Sequence, residues 1–302
     1  MKKTARLVHL IHNPNAGEGE YSKDHIISLI EEHGYKCAYS TSKELMLERI
    51  DPATDFIAIA GGDGTIRRTI MNLLDQKLKY KRPIALLPFG TANNIATSLG
   101  IPQNNVSNIS SWTNGHLKKY DVGQITGNAK TAYFIEAFGF GIFTRLMNDL
   151  KETDTSGIKT PEQEFAFALK EALRIAQTYE PVSYNLNMDG QQLTGRALWI
   201  EVMNISSLGP RLTLSLDADP GDGYFDVVVV NEEERPQLEK YISDKCASKN
   251  PVFPFKSIRA KKLQVEWAGK DVHIDDEIFE ASGPAKFDVF LLDSLIEIVT
   301  AH

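Results

Sequence analysis

Asp55-Phe56-Ile57-Ala58-Ile59-Ala60-Gly61-Gly62-Asp63-Gly64-Thr65 is the stretch that decides the fold. Its first half is an apolar, β-branched run of the length expected of a buried parallel strand, and it stops abruptly at glycine. Beyond Thr65 the period changes, because Ile66, Ile70, Leu73 and Leu74 recur at helical spacing to about Lys77. A strand, a glycine turn and a helix follow in that order. Such a turn sits where unpaired N–H groups and the helix dipole favour an anion, and glycines let the backbone approach a phosphate that a Cβ would exclude. Asp63 is the odd member, since a carboxylate beside phosphates repels them unless a cation such as Mg²⁺ lies between. The plainer reading of the same residues is a tight turn in which Asp63 caps the helix.

Composition bounds the function classes. The 302 residues are 42% hydrophobic and 24% charged, which suits a globular chain with a large core, expected here in two domains. The formal net charge of -7 argues against a nucleic-acid partner, although Lys77 to Arg82 and Lys256 to Lys262 form local basic runs of the kind usually found on solvated faces. Two cysteines, Cys37 and Cys246, are too few for a disulfide framework, so a reducing, cytoplasmic compartment is expected. The start of the chain carries Lys2, Lys3 and Arg6, but the apolar run that follows is short and holds His9 and His12, unlike a signal peptide. No run approaches a spanning length of roughly 18 apolar residues, so contact with lipid is expected at the surface only.

Before the glycine turn, Leu7 to His12 reads as a strand, followed by the turn-rich loop Asn13-Pro14-Asn15-Ala16-Gly17-Glu18-Gly19. Ser22 offers an N-cap to a helix stopped by Gly34, a strand covers Lys36 to about Ser40, and Ser42 caps an expected helix from Lys43 to Ile50. After the turn, Pro83 to Phe89 is a strand ending in Gly90-Thr91-Ala92-Asn93-Asn94, with a short helix to Leu99. Strand alternates with helix four times, which implies a doubly wound parallel sheet. The loops at Asn13, Gly62 and Thr91 then open on one carboxyl edge, where ligands bind in such sheets.

From about residue 116 strands dominate. They are expected at His116 to Ile125, Thr131 to Phe138, Val182 to Met188, Leu193 to Met203, Arg211 to Leu216, Tyr224 to Val230, Lys262 to Trp267 and Lys286 to Leu292, with Asp189-Gly190 as a hairpin turn. One long helix starts at Thr160-Pro161-Glu162-Gln163, a capping box with Pro at N1, and runs to about Thr178. Asp149 to Lys159 is polar enough to be a mobile loop. Phe138, Phe140, Phe143 and Leu146 suit either an acceptor pocket or a core.

The chain resembles the diacylglycerol kinase catalytic-domain family, and most closely its bacterial soluble lipid kinases, with a further similarity to sphingosine kinases. Asn13-Pro14-Asn15-Ala16-Gly17, Gly61-Gly62-Asp63-Gly64-Thr65 and Pro88-Phe89-Gly90-Thr91-Ala92-Asn93 match the family's three nucleotide loops; Asn204, Pro220 to Asp226 and Asp275-Asp276-Glu277 follow in its order. The resemblance implies an ATP-binding α/β domain over residues 1–125, rejoined by a last strand near 293–302. It further implies a β-sandwich lipid-substrate domain over 126–292, and a cleft between the two. It assigns ATP to Asn13, Pro14, Gly17, Thr41, Gly61, Gly62, Asp63, Gly64, Thr65, Thr91 and Asn93, and a catalytic Mg²⁺ to Asp63. Asp222 matches a structural Mg²⁺ site, though unaided its turn reads simply as Asp before Gly223. Glu277 matches the proton acceptor from a lipid hydroxyl, with Asp275 beside it, whereas three acids in a loop are more often solvated surface.

The chain departs from the family's pattern in three places. Arg67-Arg68 stands where Asn-Glu is usual, Asn94 where Asp is usual, and Asp276 where Gly is usual. If that glycine serves a positive φ, Asp replaces it at a cost. The leading expectation is therefore an ATP- and Mg²⁺-dependent kinase acting on a lipid hydroxyl, in transient contact with membrane surfaces and with room for a homodimer. The alternatives are a nucleotide- or lipid-binding protein with weakened catalysis, or a NAD kinase.

Overall fold

The structure is a computed structural model that describes residues 5–17, 22–43, 47–127, 130–154, 157–158, 160–210, 212–280 and 283–301. Its contacts divide the chain into two units, one formed by the chain to Tyr120 together with the chain from Ser294, the other by Asp121–Asp293.

The first unit alternates as its periodicity requires: β1 (Leu7–His12), α1 (Lys23–Glu32), β2 (Lys36–Thr41), β3 (Phe56–Gly61), α2 (Asp63–Asp75), β4 (Ile84–Pro88), α3 (Asn94–Ser98), α4 (Asn105–Ser111) and the start of β5 (His116–Gly127). β2, β1, β3 and β4 are parallel neighbours in that order, with His12 level with Thr41 and with Ala60, and Gly61 level with Pro88. β1, β2, β3 and β4 therefore end at the same edge. Both faces of β3 and β4 are buried, which is why they read as continuous apolar runs rather than alternating ones. The core centres on Leu10, Phe56, Leu87 and Trp112, with Phe56 and Trp112 edge to face at 5.4 Å. Ser22 Oγ accepts from the His25 amide and Gly34 takes φ +85, closing α1 at both ends. Of the helix expected over Lys43 to Ile50, the described part is a single 3₁₀ turn at Leu47–Arg49, and the Ser42 hydroxyl caps nothing. α4 is an addition to the sequence reading.

The second unit continues with β6 (Lys130–Phe134), β7 (Ala137–Gly141), α5 (Ile142–Glu152), α6 (Pro161–Thr178), β8 (Val182–Met188), β9 (Gln191–Met203), the ribbon β10 (Ser207–Leu208) and β11 (Leu212–Thr213), β12 (Phe225–Asn231) and α7 (Arg235–Cys246). It ends with β13 (Ile258–Ala260), β14 (Lys262–Trp267), β15 (Asp271–Ile274), β16 (Glu277–Glu280) and β17 (Ala285–Thr300), whose last residues pair in parallel with β4 of the first unit's sheet through Ile298 and Ile84. Within the unit the pairing is antiparallel. The first half of β9 pairs with β8, and its second half lies between β7 and β12, so one long strand serves both layers of a β-sandwich-like fold. One core, including Phe134, Phe138, Phe140, Trp267 and Phe287, fills the space among the strands; a second, including Phe143, Leu146, Trp199 and Tyr241, lies under the helices. Phe138, Phe140, Phe143 and Leu146 are thus core residues, at most 7% exposed.

Among the described residues of this unit, the single long helix expected from the sequence is one of three. α5 occupies residues 142–152, where a loop was expected from Asp149, and its polar outer face is laced by Arg145 to Asp149 (2.9 Å) and by Arg174 of α6 to Asp149 (2.6 Å). The strand expected over Thr131 to Phe138 is two strands broken at Ile135-Glu136. Lys2, Lys3, Glu18, Gly19, Lys159 and Arg211 lie outside the described residues. Among the described residues no helix is long and apolar enough to cross a membrane.

Candidate functional site

The carboxyl edge of the first unit gathers three of the loops singled out by sequence. Asn13 follows β1: its backbone N–H donates to Ala60 O (2.9 Å), its Oδ1 accepts from the Asn15 amide (3.2 Å), and its Nδ2 donates to Thr65 Oγ1 (3.3 Å). The first loop and the glycine turn are thereby tied together. Gly17 takes φ +66, Pro14 lies exposed, and Thr41 ends β2 beside His12.

The glycine turn and the Gly90 loop touch backbone to backbone. A Cβ on Gly62 would come within 2.9 Å of Gly90 Cα, and one on Gly90 within 2.5 Å of Gly62 Cα. A Cβ on Gly61 would meet Thr65 Oγ1 at 2.6 Å. The sequence accounts for these glycines by space for a phosphate; the geometry adds that Gly62 and Gly90 are required by each other. Gly62 is the N-cap of α2, a 13-residue helix whose first turn holds Asp63, Gly64 and Thr65.

Asp63 is engaged within the protein. Its Oδ2 accepts from the Asn94 amide (2.8 Å) and its Oδ1 from the Ile95 amide (3.1 Å), so this carboxylate caps α3 rather than its own helix. Asn93 stands in the left-handed region (φ 51, ψ 43), and its side chain closes the loop on itself: Oδ1 accepts from Gly90 N (2.8 Å) and Nδ2 donates to Gly90 O (2.7 Å). Asn93 therefore shapes the loop, while Thr91 is exposed at its tip. Arg67 is half-buried and Arg68 exposed on α2.

Among the described residues, two buried polar atoms on this edge have no protein partner, Nε2 of His12 and Oγ of Ser42, adjacent through the bond from the Ser42 amide to His12 O (2.8 Å). Burial holds the His12 imidazole below its ordinary pKa and so in its neutral form. Buried polar atoms left without a partner in the chain call for one from outside it.

In the second unit the later motifs are joined by one hydrogen-bonded chain. Gly223, from the Pro220 to Asp226 turn, donates its N–H to Asp121 Oδ2 (2.9 Å). Asn204 Nδ2 donates to Asp121 O (3.0 Å) and to Ile135 O (2.8 Å). Ile135, Glu136 and Ala137 in turn donate their amides to the Asp275 carboxylate at 3.1, 2.8 and 3.1 Å, which is what breaks the strand there. Asp275 is buried, with φ +52 in the first position of the two-residue β15–β16 turn; Asp276 is not among the positive-φ residues, so replacing the usual glycine by Asp costs no backbone strain. Glu277, the first residue of β16, is exposed. Asp121 was missed by the sequence reading. Its signal was an acid placed inside the apolar run around Tyr120 and Val122, and it is fully buried.

Among the described residues, both acids assigned to Mg²⁺ are already engaged by groups of the protein. Asp222 Oδ2 is ion-paired with the Arg259 guanidinium and Oδ1 accepts from the Tyr224 amide (3.0 Å), so a cation already faces this carboxylate. Arg259 also stacks on Tyr224, 4.1 Å from the ring centroid, with Lys261 at 4.3 Å. Both Asp63 oxygens are taken up by amides, and among the described residues no cluster of three or more His, Cys, Asp or Glu is placed to hold a metal.

A parallel α/β unit with a glycine-rich carboxyl edge, followed by a β-sandwich-like unit, sets the structural class of the chain, and function must come from the site and its relatives. The comparisons specify it further. The diacylglycerol kinase catalytic domain matches residues 7–125, and the YegS C-terminal NAD kinase beta sandwich-like domain matches residues 150–289. A diacylglycerol kinase of Bacillus subtilis is 28% identical over 237 residues, covering 74% of this chain and 73% of its own. One from Staphylococcus epidermidis is 26% identical over 312 residues, covering 99% and 93%. A crystal structure from Bacillus anthracis matches with a TM-score of 0.74 at 22% identity, covering 99% of this chain and 97% of that chain; a diacylglycerol kinase structure from the same organism gives 0.69 at 18%, with the same coverage. These likenesses establish the fold. The chain thus carries a diacylglycerol kinase catalytic domain followed by a YegS-type C-terminal domain, and these domains, with relatives named diacylglycerol kinase, make it a lipid kinase.

Proposed function

We propose that this chain transfers the γ-phosphoryl group of ATP to the hydroxyl of a diacylglycerol-like lipid. The observation that carries the nucleotide half is the carboxyl edge of the first unit, where the Asn13, Gly62 and Gly90 loops are fastened to one another around glycines and two orphaned polar atoms. On this reading backbone amides of the glycine turn bind the phosphates, with Asn13, Pro14, Gly17, Thr41, Gly61, Gly64, Thr65 and Thr91 around them, while Asp63 and Asn93 hold the loops in shape. On this reading Mg²⁺ enters with the nucleotide as MgATP, the usual mode for an ion that keeps its waters and phosphate ligands.

Glu277 receives the proton of the lipid hydroxyl, and Asp275 sets the turn before it. Phosphoryl transfer needs little beyond positioning, charge neutralisation and such a base. The protein meets its lipid at a membrane surface, weakly and reversibly. The test is incubation with labelled ATP and a total lipid extract, for wild type and Glu277→Gln. The expected result is a phosphorylated lipid from wild type and a turnover lower by roughly 10²- to 10⁴-fold in the variant, with ATP affinity retained. Undiminished lipid phosphorylation by Glu277→Gln removes the base assignment. ATP binding with no product across lipids favours a binding protein, the reading that Arg67, Arg68 and Asn94 support, and NAD phosphorylation favours a NAD kinase.

A further inference from the structure

The hairpin that carries Glu277 also holds half of a buried acid–base pair that none of the kinase motifs contains. Glu201 of β9 is fully buried and His273 of β15 is 1% exposed, with His273 Nε2 at 3.0 and 3.2 Å from the two Glu201 oxygens. Trp199 Nε1 donates to the same carboxylate at 2.7 Å. The other ring nitrogen, Nδ1, lies 2.8 Å from the backbone carbonyl of Asp275. A carbonyl only accepts, so Nδ1 carries a hydrogen and donates it. Nε2 then shares a second proton with Glu201, so the pair holds that proton between them whichever partner it resides on.

The surroundings are built for this pair. A Cβ at Gly139 would come 2.1 Å from Glu201 Oε2, so the facing strand leaves room by having no side chain there. Phe143 packs edge-on against the His273 ring at 5.0 Å, inside the core under the helices. Burying such a pair contributes little net stability, because desolvation costs several kcal/mol per ion and well-packed apolar residues of similar volume commonly do as well. What the pair does reach is the turn. Its Nδ1–H fixes the carbonyl of Asp275 while three amides fix the carboxylate of the same residue, and Glu277 follows two positions later.

We propose that His273, oriented by Glu201, is a positioning residue that holds the Asp275-Asp276 turn and through it the aim of the Glu277 carboxylate. The proposal rests on the lipid-kinase reading for its catalytic consequence, and its structural consequence can be measured separately. Two variants separate positioning from mere core stability. The apolar pair Glu201→Met with His273→Leu removes the buried charges and the turn-facing donor together. His273→Asn keeps a donor at the Nδ1 position but strands Glu201 without its partner, at a cost in stability.

Thermal unfolding, ATP KM, lipid kcat and amide hydrogen exchange at Ile135, Glu136 and Ala137 are measured for wild type and both variants. The expected result is an apolar double variant that melts near wild type with ATP KM unchanged. Its kcat falls roughly 10- to 100-fold, the scale of a small misplacement of a reacting group, and its three amides exchange faster. His273→Asn melts lower yet keeps most of the wild-type kcat and the amide protection. A double variant with wild-type kcat and protected amides overturns the proposal, as does a His273→Asn protein as slow as the double. If wild type phosphorylates no lipid, the kinase reading fails, and the exchange of the three amides decides the positioning proposal alone: unchanged protection in the double variant overturns it.

Discussion

Replacing Asp63 by Asn should destabilise the protein in the absence of any nucleotide or metal, and the sign of that effect separates two roles. A carboxylate kept for binding Mg²⁺ or phosphate-linked cations is a burden on the free protein, so Asp63→Asn would leave stability unchanged or raise it. The structure instead gives Asp63 two amide donors, Asn94 at 2.8 Å and Ile95 at 3.1 Å. The variant retains one acceptor oxygen, while its NH₂ group opposes the other amide. One charge-assisted bond is lost, about 1.5–3 kcal/mol, together with a helix-end charge contribution of about 0.3–1 kcal/mol. Asp63 is half-buried and α3 has only five residues, so solvent screening takes the total to about 1–3 kcal/mol. With a urea m-value on the order of 2 kcal/mol/M, the unfolding midpoint of the free protein in EDTA should fall by roughly 0.5–1.5 M, and the amides of Asn94 and Ile95 should lose exchange protection. A midpoint that stays or rises refutes the capping assignment.

Gly90→Ala should cost about 1–3 kcal/mol and weaken ATP binding, because its Cβ would meet Gly62 Cα at 2.5 Å and Asn93 Oδ1 at 2.8 Å; a normal melting curve with normal nucleotide titration would show that the loops part freely. Gly62→Val, the obvious probe of phosphate space, should likewise perturb the fold locally and is no clean test of binding. Excess EDTA should leave the thermal midpoint unchanged, whereas Arg259→Gln should lower it, since Arg259 supplies the positive charge at Asp222; an EDTA-sensitive midpoint in wild type would restore a metal to that turn. For His273, burial alone lowers the pKa, but the Glu201 charge, its hydrogen bond and the Asp275 carbonyl together raise it above 6.5. The stability it contributes is therefore complete below about pH 6.5 and lost as pH rises through the elevated value, so urea midpoints should decline as pH is raised above about 6.5, and Glu201→Gln should flatten that decline.

What the sequence made legible was whatever is encoded within a single element. The apolar run into Gly61, the Ser22 cap, and the Pro161 start of α6 each state their structure within a few residues. The helix α7 went unread, although a capping box from Asn231 to Glu234 opens the 3₁₀ turn just before it and Pro236 lies in its first turn, because its sequence is only weakly amphipathic. α5 was obscured because its entry is Gly141 at φ +92 and its outer face is polar and ion-paired. The break between β6 and β7 could not be read locally at all: it is imposed by Asp275, far along the chain. The same holds for the site. Residue types and loops were readable, but which side chain meets solvent and which is spent on holding a loop depended on partners in other motifs, as Asp63 and Asn93 show.

The contact between Gly62 and Gly90 also bears on how this edge can be inherited or engineered. The two loops are fitted to each other: Asn93 closes the second on itself, the two glycines leave each other room, and Asp63 stitches the second to the first. A chimaera that imports only one of them from a relative with different backbone spacing brings half a lock. Exchange should succeed when residues 61–65 and 88–95 travel together, so two segments separated along the chain form a single heritable part.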